Sequence, residues 1–391
     1  MSDGFGIDHL PYGVFRWEGE RARIGARIGD GVVDLSALEL GGVPQEVWVA
    51  NSLNPFLALG RERWSAVRRD LQAACERGVH TMPIGEVELL CPLDPPDYVD
   101  FYSSIEHATN LGRMFRPDGD ALLPNWRHLP VGYHGRSASV VASGTPVRRP
   151  LGQRPPAPSD ESGAPSFGPS LRLDFELELG FVTGNGPPLG TPIAADAARE
   201  HIFGVTLVND WSARDLQRWE YQPLGPFNAK SFATTVGAWV TPLEALAPVA
   251  VAPPAQDPEP FAYLRTDDPL AFDIALEVAL VPAGATAETV ISRTSSRALY
   301  WTMAQQLAHA TIGGARVRAG DLFASGTISG TEPGSFGSLI ELTWGGRDPI
   351  AVEGGERTFL QDGDEVVLRG RAGTVTLAEA RGRIEPSPDV P

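Results

Sequence analysis

Leu171-Arg-Leu-Asp-Phe-Glu-Leu-Glu-Leu-Gly-Phe181 alternates apolar and polar side chains almost throughout. On an extended chain Leu171, Leu173, Phe175, Leu177 and Leu179 share one face, and Asp174, Glu176 and Glu178 share the other. A period of two marks a strand, so this part of the chain is read as β structure. Residues two apart on a strand face lie about 7 Å from each other. Like charges at that distance repel by roughly 2 kcal/mol at an effective dielectric near 20. Three carboxylates on one face therefore need water or a cation. By itself the stretch reads as a solvated outer face.

The neighbouring segments change that reading. Val205-Thr-Leu-Val-Asn-Asp210 is an apolar strand ending in an aspartate that packing does not explain. Upstream, Asp97-Tyr-Val-Asp-Phe-Tyr-Ser-Ser-Ile-Glu-His-Ala-Thr-Asn110 sets Asp100, Tyr102 and His107 within eight positions. Asp100, Glu176, Glu178 and Asp210 together would form an all-oxygen site. No Cys or His pair stands at zinc spacing and no EF-hand loop is present. Hard oxygen donors point to Ca²⁺ or Mg²⁺, with Mn²⁺ also compatible.

His107 is one of seven histidines. As a base it needs an orienting acceptor, and Glu341, in Phe336-Gly-Ser-Leu-Ile-Glu-Leu-Thr-Trp344, is the candidate. That segment is read as a strand. Arg214, Gln217 and Tyr221 are spaced three and four apart, which puts them on one face if the stretch is helical. With Lys230 they read either as a polar surface turn or as donors for a developing oxyanion. Gly320–Gly330 reads as a strand and turn that carries Thr327.

The 391 residues suffice for two domains or one large one. A formal charge of −17 argues against nucleic-acid and anionic-membrane partners. Cys75 and Cys91 are too few for a disulfide framework. The first residues lack a basic and then apolar leader, and no apolar run approaches the roughly 20 residues of a membrane span, so a cytoplasmic protein is expected. Residues 13–40 look β-rich. A helix is expected from Asn54-Pro55, with Trp64, Val67, Leu71 and Ala74 inward and Arg61, Arg63, Arg68 and Arg69 outward. Further helices are expected near 196–203 and 299–312. A hairpin turn is expected at Asp362-Gly363. Residues 153–170 and 242–262 read as long Pro-rich loops. Cys91-Pro-Leu-Asp-Pro-Pro96 reads as a linker, placing a boundary near residue 93 between domains 1–93 and 94–391.

Together the motifs DYVDFYSS-x-x-HATN (97–110), LPNWRHLPVGYHGR (123–136), SGTPVRRPLGQ (143–153), DFELELGF (174–181), NDWSARDLQ-x-WEY-x-PLGPF (209–227), YWTMAQQLAH (300–309) and GDLFASGTISG (320–330) resemble the fumarylacetoacetate hydrolase family. The resemblance implies a mainly β (α+β) fold, with a small N-terminal SH3-like β-barrel domain and a larger C-terminal mixed β-roll domain. It implies a homodimer acting on a diketo dicarboxylate, cleaving the carbon–carbon bond of 4-fumarylacetoacetate to fumarate and acetoacetate. The nearest alternative is an acylpyruvate hydrolase, or a 2-oxo acid hydratase or decarboxylase, of the same superfamily. By resemblance Asp100, Glu176, Glu178 and Asp210 are divalent-metal ligands, and Asp210, Lys230 and Thr234 a second ion site. His107 is the base with Glu341 its partner. Arg214, Gln217 and Lys230 are oxyanion donors. Tyr102, Arg116, Tyr133, Gln217, Tyr221 and Thr327 are substrate contacts.

Overall fold

The strand Ile202–Asp210 is buried along all nine residues, and the rest of the main sheet is laid around it. It pairs antiparallel with Leu177–Thr183 on one side. On the other it pairs with Thr234–Val236 and Trp239–Pro242. A strand covered on both faces and both edges is mostly apolar, as Val205, Leu207 and Val208 are, so the buried polar residues Thr206, Asn209 and Asp210 stand out in it. Beyond Leu177–Thr183 come Leu322–Ala324, then Tyr98–Phe101 running parallel to it, then Gly132–His134. The computed structural model describes residues 4–157 and 163–389. Part of the Pro-rich stretch, 158–162, lies outside the described residues.

The N-terminal segment joins the same sheet. Tyr12–Trp17, Arg23–Ile28 and Gly31–Asp34 form an antiparallel meander. Met82–Pro83 borders the last strand and Val87–Leu90 borders the first. A short 3₁₀ turn at Ile84–Glu86 bends this single segment, so it curls the meander toward a barrel. Tyr12 and Gly13 then pair with Val240 and Trp239 of the larger sheet. Phe203 meets Tyr12, Phe56 and Trp64 edge-on at 5.3–5.5 Å, so N-terminal and later residues share one core. A second sheet, Thr289–Ser295, Ala275–Val281, Glu365–Ala372, Val375–Glu385 and Val147–Arg148, packs alongside. The fold is mainly β with mixed sheets, as expected.

Several local expectations are corrected. The alternating stretch is two strands, Leu173–Asp174 and Leu177–Thr183, and its carboxylates are buried rather than solvated. Leu171, placed with the apolar face, is 70% exposed. The segment of Glu341 is a short helix, Leu339–Leu342, not a strand. The helix expected from Asn54 is interrupted: Asn54–Leu57 is one turn, and Gly60, with φ at +80°, precedes the long helix Arg61–Arg77. Arg68 faces inward, donating to the carbonyls of buried His9 and of its neighbour Asp8, backbone acceptors that need a partner. The expected helix at 196–203 shrinks to Ala198–His201, since Phe203 belongs to the central strand. That at 299–312 starts at Met303, where Thr302 and Gln305 form a capping box. Asp362-Gly363 is no hairpin turn: Glu365–Ala372 pairs with Val375–Glu385 through Gly373, while Asp362 holds Arg149. The Pro-rich 153–170 stretch includes a hairpin, Leu151–Arg154 with Ser166–Pro169.

Truncating Phe203 tests the shared core. Phe203→Ala is expected to cost about 3–5 kcal/mol. Denaturant unfolding should show one transition moved as a whole; an early, separate N-terminal transition would contradict shared packing.

Candidate functional site

Three strands, Tyr98–Phe101, Leu177–Thr183 and Ile202–Asp210, deliver Asp100, Glu178 and Asp210 to the main sheet, and Glu176 stands just before the second of them. Asp100 lies beside Ala324 in a parallel pair, and Ala324 lies beside Gly180 on the next strand. These small neighbours leave room for charged side chains. Glu178 is paired with Val208, and Asp210 with Thr234. Alternation sends Phe101, Phe181 and Phe323 to the opposite face, where Phe181 and Phe323 stack at 4.9 Å. Asp100, Glu176, Glu178 and Asp210 each offer an oxygen within 4.8 Å of the others, and all four are buried.

Two cations balance part of this charge. The ammonium of Lys230 contacts both Glu176 and Asp210. Arg214 donates from Nη1 to Glu176 at 2.7 Å and to Gln217 Oε1 at 3.2 Å. Burial works against ionised Glu176, but Arg214 and Lys230 outweigh it and bring its carboxyl down to about 2. Asp100 and Glu178 are not so served. Burial first, and repulsion from the other carboxylates second, push both well above the usual range. Asp100 Oδ1 and Glu178 Oε1 are buried without a hydrogen-bond donor. Orphaned carboxylate oxygens facing one another fit a hard divalent cation, which Asp100, Glu176, Glu178 and Asp210 would hold. Thr234 Oγ1 donates to Asp210 Oδ1 at 3.3 Å, and the Tyr133 hydroxyl to Asp210 Oδ2 at 3.0 Å.

His107 lies on the helix Ile105–Phe115, whose N-cap Ser104 accepts from the His107 backbone N–H. Its Nδ1 meets Glu341 Oε2 at 2.6 Å, with both side chains buried. Asn110 donates to Glu341 Oε1 at 3.0 Å, and Ser329 and Ser338 to Oε2 at 2.9 and 2.7 Å. Burial opposes ionised Glu341, yet His107 and these donors hold its carboxyl below the usual range. Tyr102 packs edge-on against the imidazole at 5.3 Å. Sequence reading passed over Asn110, Ser329 and Ser338; all three stand in or beside the quoted motifs, but nothing in a serine's spacing shows where its hydroxyl points.

The remaining candidates divide. Thr327 Oγ1 is buried and unpartnered, next to Gly326, whose N–H donates to Glu178 at 3.2 Å. Arg116 donates to the Ala121 carbonyl at 2.8 Å. Tyr221 ends the helix Arg214–Glu220, and its hydroxyl accepts from Gln222; no contact to the carboxylates is seen among the described residues.

A mainly β protein with a buried carboxylate pocket beside a histidine–glutamate pair is the class this geometry defines. The chain belongs to the fumarylacetoacetate hydrolase family: the family's C-terminal region, described as fumarylacetoacetate (FAA) hydrolase, matches residues 98–382, and fumarylacetoacetase N-terminal matches 8–86. It is 48% identical over 388 residues to a fumarylacetoacetase of Rattus norvegicus, covering 94% of this chain and 91% of the relative. Among solved structures it resembles a fumarylacetoacetate hydrolase from psychrophilic Exiguobacterium antarcticum, with TM-score 0.60, 19% identity and 96% and 99% of the two chains covered. It also resembles a maleylpyruvate hydrolase from Sphingobium sp. SYK-6 in complex with manganese(II) and pyruvate, with TM-score 0.54, 16% identity and 97% and 100% covered. These two likenesses establish the fold.

The uncompensated charge has a measurable sign. Asp100 and Glu178 hold their protons more tightly folded than unfolded, so they favour the fold at low pH and oppose it as pH rises. In cation-free protein, Glu178→Gln should flatten the loss of stability from about pH 5 upward. It should also abolish the rise in melting temperature expected when a divalent cation is added to the unsubstituted chain. Denaturant midpoints across that range, with and without cation, check it; an unaltered slope and cation response would refute the assignment.

Proposed function

We propose that this enzyme hydrolyses the carbon–carbon bond of 4-fumarylacetoacetate to fumarate and acetoacetate, the last step of tyrosine and phenylalanine catabolism. The observation that carries this reading is the buried His107–Glu341 pair in the same site as Arg214 and Lys230. Near-half identity to rat fumarylacetoacetase over most of both chains supports it.

Glu341 occupies Nδ1 of His107, which leaves Nε2 to take a proton from water. The imidazolium that forms lies against the Glu341 carboxylate. The hydroxide adds to the fumaroyl-side carbonyl. Arg214 Nη2, buried and unpartnered, is free to donate to the resulting oxyanion. Lys230 has three N–H bonds and two carboxylate partners, so one remains for the same purpose. Gln217 is held beside Arg214. As the carbon–carbon bond breaks, its electron pair passes to the acetoacetate side, where the adjacent ketone delocalises it; protonation completes acetoacetate. A divalent cation bound by the four carboxylates would polarise the diketone oxygens as a Lewis acid. Ca²⁺ or Mg²⁺ is the ion proposed there, with Asp210, Lys230 and Thr234 as a second ion site. Tyr102, Arg116, Tyr133, Tyr221 and Thr327 complete the proposed substrate contacts.

The same reading takes the protein as a cytoplasmic homodimer whose two domains divide near residue 93. The gap between the family matches, which end at 86 and resume at 98, supports that division.

Loss of the ultraviolet absorbance of fumarylacetoacetate, with fumarate and acetoacetate as products, tests the activity. EDTA should suppress it and added cation restore it. Gln217→Ala should lower turnover by about 10²–10³-fold, and His107→Ala should abolish turnover while cation binding persists. Turnover surviving in His107→Ala would place the base elsewhere. A folded, cation-loaded protein that leaves the substrate intact would refute the assignment and favour acylpyruvates or 2-oxo acids as substrates.

A further inference from the structure

One carboxylate of the acidic stretch has no part in the site as described so far. Asp174 is fully buried, and its two oxygens each accept two hydrogen bonds. Oδ2 accepts from Arg214 Nε at 2.8 Å and from the Ile340 N–H at 3.0 Å. Oδ1 accepts from the Leu339 N–H at 2.7 Å and from its neighbour Phe175 at 2.8 Å. The side chain therefore spans two parts of the site that are far apart in sequence.

On one side it fixes a guanidinium. Arg214 is clamped at Nε by Asp174 and at Nη1 by Glu176 and Gln217. A planar fork held at two of its three nitrogens, on different sides, cannot rotate, and Nη2 is the nitrogen left over. On the other side it caps a helix. Ser338 is the N-cap of Leu339–Leu342 but makes no side-chain cap bond. Its hydroxyl is given to Glu341 instead. Asp174 supplies the missing acceptor from another strand. Backbone contacts run the same way: Leu177 N–H donates to the Gly337 carbonyl, and Glu176 bridges Ser338.

We propose that Asp174 is a positioning residue that locks the Arg214 donor and the turn carrying Glu341 into a fixed relation. Asp174 does not touch the reacting atoms. It sets the separation between the group that receives the oxyanion and the pair that makes the nucleophile, a distance on which an addition step depends steeply. The inference rests on the hydrolytic reading above.

Turnover of the unsubstituted enzyme on fumarylacetoacetate is measured first; its absence would overturn the hydrolytic reading itself. Given turnover, Asp174→Asn keeps the size of the side chain but leaves one of its two terminal atoms unable to accept. It should lower kcat by about 10–100-fold, with a smaller change in KM and an undiminished cation-induced rise in melting temperature. Adding D174N to R214K, or to L339P, which removes the amide that Asp174 Oδ1 accepts at the first helical position, should cost little beyond the single change, because each already frees one end of the same link. A D174N enzyme with ordinary kcat, or losses that multiply independently in both pairs, would overturn the proposal. Should D174N fail to fold, the R214K and L339P pair decides. The two residues sit at opposite ends of the link, so a combined loss smaller than the product supports it and a full product overturns it.

Discussion

The site is organised around a shortage of positive charge. Four buried carboxylates meet, and among the described residues only Lys230 and part of Arg214 pair with them as cations. Glu176 takes most of that compensation and stays ionised to about pH 2, while Asp100 and Glu178 are left at the other extreme. Buried like charges are tolerated only where something repays their desolvation. Here four carboxylate oxygens within 4.8 Å of one another have the spacing and donor chemistry for a hard cation, and the strand ends and small neighbours around them hold them there.

Much of this was legible in the sequence, and what was not has a physical pattern. Asp210 stood out because an aspartate ending an apolar strand contradicts its surroundings. The periodicity of residues 171–181 announced a strand correctly but not which side was wet. Alternation shows that two faces differ; it does not show whether the polar face meets solvent or an inward cluster. It also placed Asp174 with Glu176 and Glu178, whereas the break at Phe175-Glu176 turns Asp174 toward Arg214. Glu341 was found through its pairing logic although its local structure was misjudged. Four residues are too short for a helical period to register, and the contacts that fix that turn come from residue 174. Arg68 differs from its expectation for the converse reason: besides the distant Glu244, its partners are the backbone carbonyls of residues 8 and 9, which no side-chain pattern reports.

The two halves of the chemistry rest on different kinds of support. The carboxylates are delivered by sheet register, so their spacing follows from hydrogen-bond ladders that tolerate little slip. The proposed base His107, its partner Glu341 and the proposed oxyanion donors Arg214 and Gln217 sit on the helices Ile105–Phe115, Leu339–Leu342 and Arg214–Glu220, held by side-chain contacts. The four donors converging on Glu341 make that corner a saturated network, in which each member restrains the others.

The pairing of Tyr12 with Val240 bears on how the chain is made as well as how it stands. At about 5–20 residues per second, a ribosome delivers Val240 roughly 10–50 s after Tyr12. Through that interval the first strand waits with an unfilled edge, and the aromatic cluster of Tyr12, Phe56 and Trp64 lacks Phe203. The N-terminal segment is thus complete in sequence long before it is complete in structure. Its hazard is mispairing with another nascent chain, and quality control during synthesis is where a weakened core would first be felt.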